Sequence, residues 1–495
     1  MFQKILIANR GEIAVRIMRT CREMGIATVA VYSEVDECAL HVMSADEAVF
    51  LGQAEPSESY LNIEKIIAAA KETGAEAIHP GYGFLAENAE FAKVCRENEI
   101  VFIGPPPEVI EKLGDKIVAR SIMSESGVPV TPGVTVDSTD DAAWAQAAEK
   151  IGYPVLVKAA AGGGGKGMRV VNSSEELPES CRMAESEARA AFGDGTIYME
   201  KYLDRSRHVE IQILCDADGN AVHLLERECS IQRRHQKIIE ETPSTALTDE
   251  LRTQMGNAAV AAAKASGYVN AGTVEFLLDS EGRFYFLEVN TRLQVEHPIT
   301  EMITGTDLVR HQIEIAAGQP LSITQADIAG RGHAIECRIY AEDPENQFFP
   351  SPGKIQFIQE PTGPGIRNDC GVYSGFEVPV EYDPILSKLV VFAETRDLAI
   401  RRMIRALEDY AIIGVKTPVG FLKDVLLSEP FQNGDTFTDF IESHFAEWAH
   451  VLTDKELACA AYLADVLFPG GGTVSSAKSV SGPPPLWQTL GNWRL

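Results

Sequence analysis

The sequence predicts a chain of several domains in the α/β and α+β classes, and three observations carry that prediction. Strand-like and helical segments alternate up to about residue 107, a strand-loop-strand unit with four consecutive glycines follows, and a hairpin with a polar stripe precedes a last, mostly β region. At 495 residues the chain is too long for one core and should divide into about three domains of roughly 100–200 residues each.

The first domain is read over residues 1–114. "KILIAN" is a short β-rich run, "GEIAVRIMRTCREMG" has helical spacing closed by Gly25, and "ATVAVYSE" is apolar again. "EAIHPGYGFLAEN" and "IVFIGPP" extend the alternation, which is the signature of a parallel sheet with crossover helices. "IANRGEIA" is then a bare βα turn, because it lacks the glycine fingerprint of a dinucleotide site.

The second domain is read over residues 115–330. A helix carrying Lys116 precedes the "GVPVTPG" break, and "YPVLVKAA", "GMRVV", "TIYMEKYL" and "VEIQIL" are strands. A hairpin follows, "TVEFLL" and "RFYFLEV" around Asp279–Gly282. In the third domain, 331–445, "HAIECRIYAE", "KIQFIQ", "GIRND" and "SKLVVFAE" are β and a late helix runs from Asp397 to about Tyr410. Residues 446–495 end in a Gly/Ser/Pro-rich stretch that reads as a flexible extension. Trp487 and Trp493 lie within it, and exposed tryptophans suit a docking surface, so it is a candidate partner-binding tail.

A net charge of −28 repels polyanions, so nucleic acid and anionic membrane are poor partners, and any anionic substrate needs a local basic cluster. The nine cysteines (Cys21, Cys38, Cys95, Cys181, Cys215, Cys229, Cys337, Cys370 and Cys459) are scattered and never spaced C-x-x-C, against both a disulfide framework and a zinc site. Arg10 and Glu12 interrupt the amino-terminal apolar run too early for a signal peptide, and no uninterrupted apolar run is long enough to span a bilayer. A cytoplasmic protein is expected.

"AAAGGGGKGMRVV" admits three readings. Gly162, Gly164 and Gly167 satisfy G-x-G-x-x-G, but a strand follows instead of the helix that a dinucleotide site requires. A P-loop is excluded as well, since Gly167 and not Ser or Thr follows Lys166. What remains is a glycine hairpin, either an ordinary flexible tip or a loop able to fold over a triphosphate with backbone N–H groups and to hinge as a lid at about residues 131–203.

The hairpin is more specific. Pairing about a midpoint between Glu281 and Gly282 sets Glu275 opposite Glu288, with Cβ atoms about 4.5–5.5 Å apart. Two facing carboxylates among apolar neighbours repel unless one is protonated or a cation lies between them. With the amide of Asn290 on the same face, these hard oxygen ligands suit Mg²⁺ bridging nucleotide phosphates.

Glu288, Asn290, Arg292, Gln294 and Glu296 share one parity. Fully extended, that run would span about 26 Å at about 3.3 Å per residue, too far for one small substrate, so a bend after Thr291 is expected. "ERECSIQRRHQKIIEE" gathers Arg227, Arg233, Arg234, His235 and Lys237, the place where an acidic chain would hold an anion.

Together "KILIANRGEIAVRI", "HPGYGFLAEN", "AAAGGGGKGMRVV", "MEKYLDRSRHVEIQIL", "RECSIQRRHQKIIEE", "FLEVNTRLQVEHPITEMITG" and "IECRIYAEDP" resemble the ATP-grasp enzymes, and within them biotin carboxylase, over about residues 2–445. The resemblance implies a Rossmann-like N-terminal domain, an ATP-grasp domain with a mobile glycine-rich lid, and a mostly β C-terminal domain. It implies that Lys116, Lys158, Gly164, Gly165, Glu200, Lys201, Tyr202, Leu203, His208, Gln232 and His235 hold ATP, together with Glu275 and Glu288. Glu275, Glu288 and Asn290 would hold Mg²⁺ or Mn²⁺, two ions in all.

By the same resemblance, Lys237, Arg292, Gln294 and Val295 bind bicarbonate and Glu296 is the base that deprotonates it for attack on the γ-phosphate. Arg338 binds biotin and stabilises charge on the ureido oxygen, and Tyr82 lies near the biotin. In this family carboxyphosphate yields CO₂ and phosphate, and the phosphate is thought to remove the ureido N1′ proton. Because no "AMKM"-type biotin-acceptor lysine and no carboxyltransferase region occurs, the biotin substrate belongs to a separate carrier protein, with carboxyltransferase subunits as further partners and a homodimer as the expected state. An ATP-grasp ligase that joins a carboxylate to an amine through an acyl phosphate is the alternative.

Overall fold

The structure, a computed structural model, describes residues 1–136, 140–159, 168–192, 195–234, 236–451, 457–459 and 461–462. Its first layer is the expected parallel sheet. Strands β1 (Lys4–Ile7), β2 (Ala27–Ser33), β3 (Glu47–Gly52), β4 (Ala77–His79) and β5 (Val101–Phe102) lie in the order β3-β2-β1-β4-β5. Ile5, Leu6 and Ile7 are fully buried, as a strand covered on both faces requires. The helix Gly11–Glu23 leaves β1 through Gly11, whose φ of +62° demands a residue without a side chain. It carries Glu12 and Arg16 into the interior.

The glycine run does sit between strands. β6 (Gly133–Val136), β7 (Val155–Ala159), β8 (Arg169–Val171) and β9 (Ile197–Lys201) form a separate antiparallel sheet ordered β6-β9-β7-β8, with Val155 opposite Val171. Helices Asp141–Ile151 and Leu177–Phe192 pack on it around Trp144, Val157, Ile197 and Met199. Gly162, Gly164, Gly165 and Lys166 themselves lie outside the described residues.

The central scaffold is one eight-stranded antiparallel sheet that continues across residue 330. It comprises β10 (Arg207–Cys215), β11 (Ala221–Arg233), β12 (Gln236–Thr242), β13 (Asn270–Leu278), β14 (Phe284–Asn290), β15 (His333–Tyr340), β16 (Ile366–Cys370) and β17 (Ile385–Ala393), in the order β14-β13-β10-β11-β12-β15-β17-β16. The charged run "ERECSIQRRHQKIIEE" is therefore mostly a buried hairpin, β11 and β12, because its charged side chains find partners on neighbouring elements, Glu226 on Arg252, Arg227 on Glu210 and Glu228 on Arg207. "KIQFIQ" is split into Gly353–Lys354 and Phe357–Gln359. The late helix is Arg396–Asp409, and helices Val419–Leu427, Glu429–Asn433 and Phe440–Phe445 join it over one face of β12, β15 and β17.

Met1–Trp448 forms one compact unit and Ala449–Leu495 a second. In the second, 457–459 and 461–462 are helical, while Trp487 and Trp493 lie outside the described residues. Among the described residues no helix is long and apolar enough to cross a membrane. The described cysteines form no disulfide.

Candidate active site

The site is built on the face shared by β14, β13, β10, β11, β12 and β15. Glu275 does face Glu288 in register, but by a route the symmetric hairpin did not include. Near the turn the pairs are Leu278 with Phe284, Leu277 with Tyr285 and Phe276 with Phe286. Leu287 is then an extra residue, a bulge that moves the register by one and brings Glu288 opposite Glu275.

Lys237 is the hub. Its Nζ lies 2.7 Å from a carboxylate oxygen of each of Glu210, Glu275 and Glu296. Burial alone would lower the Lys237 ammonium, but the three carboxylates outweigh it and hold it well above the ordinary lysine value. Arg227, fully buried on β11, grips Glu210 from the other side and donates to Gln212 (2.7 Å), Thr300 (2.9 Å) and Thr273 (3.1 Å).

The chain leaves β14 after Asn290, as the span of the polar run requires, and Glu296 caps the helix His297–Thr304. The bend folds the run back on itself. Arg292 donates to Asn290 Oδ1 (3.0 Å) and Gln294 Oε1 (3.1 Å), and Gln294 donates to Glu275 Oε1 (3.2 Å). Val295 is half-buried beside them. Glu87, from the first domain, fixes the arrangement: its carboxylate accepts from Arg292 Nε at 2.9 Å and from the Thr291 N–H at 3.1 Å.

Glu296 joins two halves of the site. One oxygen accepts from Lys237, and the other lies 3.0 Å from Arg338 Nη2. Burial pushes the Glu296 carboxyl up, yet Lys237, Arg338 and Arg227 hold it well below the usual carboxylate range. Arg338 also donates to Glu240 at 2.6 Å. Across the strand pair from Arg338 is Lys388, whose Nζ stands 5.6 Å from the centroid of the Tyr82 ring. Tyr82 thus lies over the side chain of Lys388, the register partner of Arg338.

A cleft on the opposite side is lined by Lys116, Ile117, Arg120, Lys158, Tyr198, Leu287 and Glu288. Lys158 pairs with Glu200 at 2.6 Å, and Glu200 also accepts from Thr131 at 2.9 Å. Burial lowers the Lys116 ammonium, against the pull of Glu288. Lys201 points elsewhere in this arrangement, its Nζ on the carbonyls of Gly152 (3.0 Å) and Tyr153 (2.8 Å). Tyr202 is anchored through its N–H to Pro154, and Leu203 is half-buried just beyond β9. His208 Nε2 lies 2.9 Å from Glu275, and Gln232 stands in register with Lys237. His235 lies outside the described residues.

The donor set fits a divalent cation at Glu275 and Glu288. Burial and Glu275 raise the Glu288 carboxyl, and it makes no hydrogen bond to another described residue, so this pair carries negative charge that the surrounding side chains leave partly uncompensated. The all-oxygen character of Glu275, Glu288 and Asn290 suits a hard ion such as Mg²⁺.

Sequence reading missed Glu87, Glu210 and Glu240 as site residues, and it grouped Arg227 with an anion-holding cluster, whereas Arg227 pairs with Glu210. Glu210 had a signal: His208, Glu210 and Gln212 alternate with Val209, Ile211 and Ile213, a polar stripe on a strand.

Comparison with known proteins shows the family. The family described as "Biotin carboxylase, N-terminal domain" matches residues 1–110, "Carbamoyl-phosphate synthase L chain, ATP binding domain" matches 115–324, and "Biotin carboxylase C-terminal domain" matches 336–443. The chain is 53% identical over 447 residues to biotin carboxylase 1 of Bacillus subtilis, covering 90% of this chain and 99% of that one. It is 53% identical over 441 residues to the biotin carboxylase of a Nostoc species, covering 89% of this chain and 99% of that one. The biotin carboxylase domain dimer of Hydrogenobacter thermophilus 2-oxoglutarate carboxylase, solved with MgADP, ADP and bicarbonate, superposes with a TM-score of 0.87 at 48% identity, over 91% of this chain and 100% of that one. With three family matches over most of its length and a relative 53% identical over 90% of it, the chain belongs to the biotin carboxylase family.

Proposed function

We propose that the chain carboxylates biotin on a separate carrier protein, using bicarbonate and ATP, as the first half-reaction of a biotin-dependent carboxylase. The observation that carries the mechanism is Glu296: one carboxylate lies between Lys237, in the metal and phosphate half, and Arg338, on the other side. Fully buried and held ionised, it is a base at the junction of two substrates.

ATP lies in the cleft between Lys116, Lys158 and the β9 edge, beneath the glycine lid at Gly164 and Gly165. His208, Gln232, His235 and the Glu200–Leu203 segment complete its binding. Glu275, Glu288 and Asn290 hold two Mg²⁺ or Mn²⁺ ions, which when bound neutralise charge on the phosphates. Arg292, Gln294, Lys237 and the Val295 backbone orient bicarbonate. Glu296 takes its proton, and an oxygen of the carbonate so formed attacks the γ-phosphorus, displacing ADP, to give carboxyphosphate. Lid closure keeps water from this labile species. Carboxyphosphate splits to CO₂ and phosphate, the phosphate removes the ureido N1′ proton, and Arg338 meets the charge that develops on the ureido oxygen.

The chain acts in the cytoplasm as a homodimer with a biotin carboxyl carrier protein and carboxyltransferase subunits, and residues 446–495 are the docking tail. ADP release dependent on bicarbonate, with transfer of labelled bicarbonate carbon to biotin, tests the reading. ATP cleavage indifferent to both bicarbonate and biotin would overturn it.

A further inference from the structure

Behind Arg338 lies a group of buried charges that the reaction above does not use. Along β15, Ile335, Cys337 and Ile339 pack toward helix Arg396–Asp409, so Glu336 and Arg338 face the other way. Glu336 is fully buried, and neither of its carboxylate oxygens has a hydrogen-bond partner among the described residues. It stands in register with Glu240 on one side and Val390 on the other, beside the apolar cluster of Ala334, Ile299, Ile303 and Val390.

Glu240 accepts from Arg338 with one oxygen, and its second has no hydrogen-bond partner among the described residues. Lys388, in register with Arg338 and fully buried, lies 3.1 Å from Glu12 of the first helix. Four carboxyl groups, Glu12, Glu240, Glu296 and Glu336, thus meet two cations, Arg338 and Lys388. Lys237 and Arg227 help to hold Glu296, and among the described residues no further cation is left for Glu336. Lys237 is already shared among Glu210, Glu275 and Glu296. Asp369, opposite Lys388, is held by Arg367 and Arg19, and Glu301 by Arg16 and Arg367. His297, on the helix above, is kept neutral by its burial.

A third ionised carboxylate beside Arg338 would weaken further the field of a guanidinium that already pairs with Glu240 and Glu296, while an unpaired buried carboxylate is costly in itself. Both problems vanish if Glu336 keeps its proton. We propose that Glu336 is a positioning residue that stands beside Arg338 on the same strand face as a neutral carboxylic acid, adding no third negative charge to the guanidinium that faces the charge developing on the biotin ureido oxygen. Burial, reinforced by Glu240, raises the Glu336 carboxyl in the same sense. The inference rests on the reading that Arg338 meets biotin.

Infrared spectroscopy of the full chain tests it directly. The wild type at neutral pH should show a protonated-carboxyl stretch that Glu336→Gln removes; absence of a Gln-sensitive band overturns the proposal. In rate profiles, Glu336→Gln should keep its biotin-stimulated rate at neutral pH within about threefold, unchanged bicarbonate-dependent ATP cleavage, and a weaker alkaline decline than the wild type. A loss of biotin stimulation beyond about tenfold, or failure of this neutral isostere to fold, would contradict it, since both would mean that the negative charge is needed. Arg338→Gln separates the two levels: if it retains biotin stimulation, the reading beneath falls and the proposal with it, whereas a missing band overturns the proposal alone.

Discussion

Glu275 and Glu288 face each other because Leu287 is bulged out of β14, so that a pair of like charges is set in register by one extra residue. Burial and Glu275 both raise the Glu288 carboxyl, which means that its ionised form costs stability in the absence of a cation. Glu288→Gln should therefore raise the melting temperature of the metal-free chain while lowering kcat by about 100-fold or more with Mg-ATP. Differential scanning calorimetry with and without Mg²⁺, alongside steady-state rates, checks both. A variant that melts lower without metal would contradict the like-charge account.

Lys237 holds three buried carboxylates at once. Lys237→Met leaves Glu210, Glu275 and Glu296 without that cation, and removing one partner of a buried ion pair costs about 3–5 kcal/mol. Chemical denaturation should register that loss, and bicarbonate-dependent ATP cleavage should fall to background. Adding Glu210→Gln to Lys237→Met should recover part of the stability and none of the activity.

The pair formed by Glu275 and Glu288 was legible from hairpin symmetry, although the Leu287 bulge was not, because a bulge leaves no mark in apolar alternation. Parity also grouped Glu288, Asn290, Arg292, Gln294 and Glu296, and chain length demanded the bend that folds them together. β11 was hidden because Glu226, Arg227 and Glu228 look like a solvated face, whereas all three are buried and satisfied by ion pairs and hydrogen bonds from other elements. Glu87 had no signal at all, since its role depends on contacts with Thr291 and Arg292 that only the tertiary fold creates.

Glu87 fixes the bend that presents Arg292. Glu87→Gln keeps the shape and removes the charge, so bicarbonate KM should rise by about 3- to 10-fold with the KM for ATP nearly unchanged. Initial-rate kinetics over bicarbonate and ATP separate the two. An equal rise in both would place Glu87 in general folding of the cleft instead.

Stability should depend on pH in two opposite directions. Burial pushes the Glu241 carboxyl up, but His333 and Arg396 hold it down to about 2, so its contribution is full above the ordinary value of 4.5 and is lost as pH falls toward about 2. Burial raises Glu12 to about 7 against Lys388, and Glu240 to about 7 against Arg338. Their contribution is full below 4.5 and is lost as pH rises through about 7. Thermal melts at constant ionic strength should show stability declining between about pH 5 and 8, and Glu12→Gln should make that decline shallower. An identical slope in the variant would remove Glu12 from the account.

The central claim is that Glu296 is the base between Lys237 and Arg338, and Glu296→Gln tests it most directly. Bicarbonate-dependent ADP release and ATP affinity should be measured on the same preparation of the full chain. The account predicts ADP release reduced to background while ATP binds within about threefold of the wild type. ADP release retained within tenfold of the wild type would contradict it.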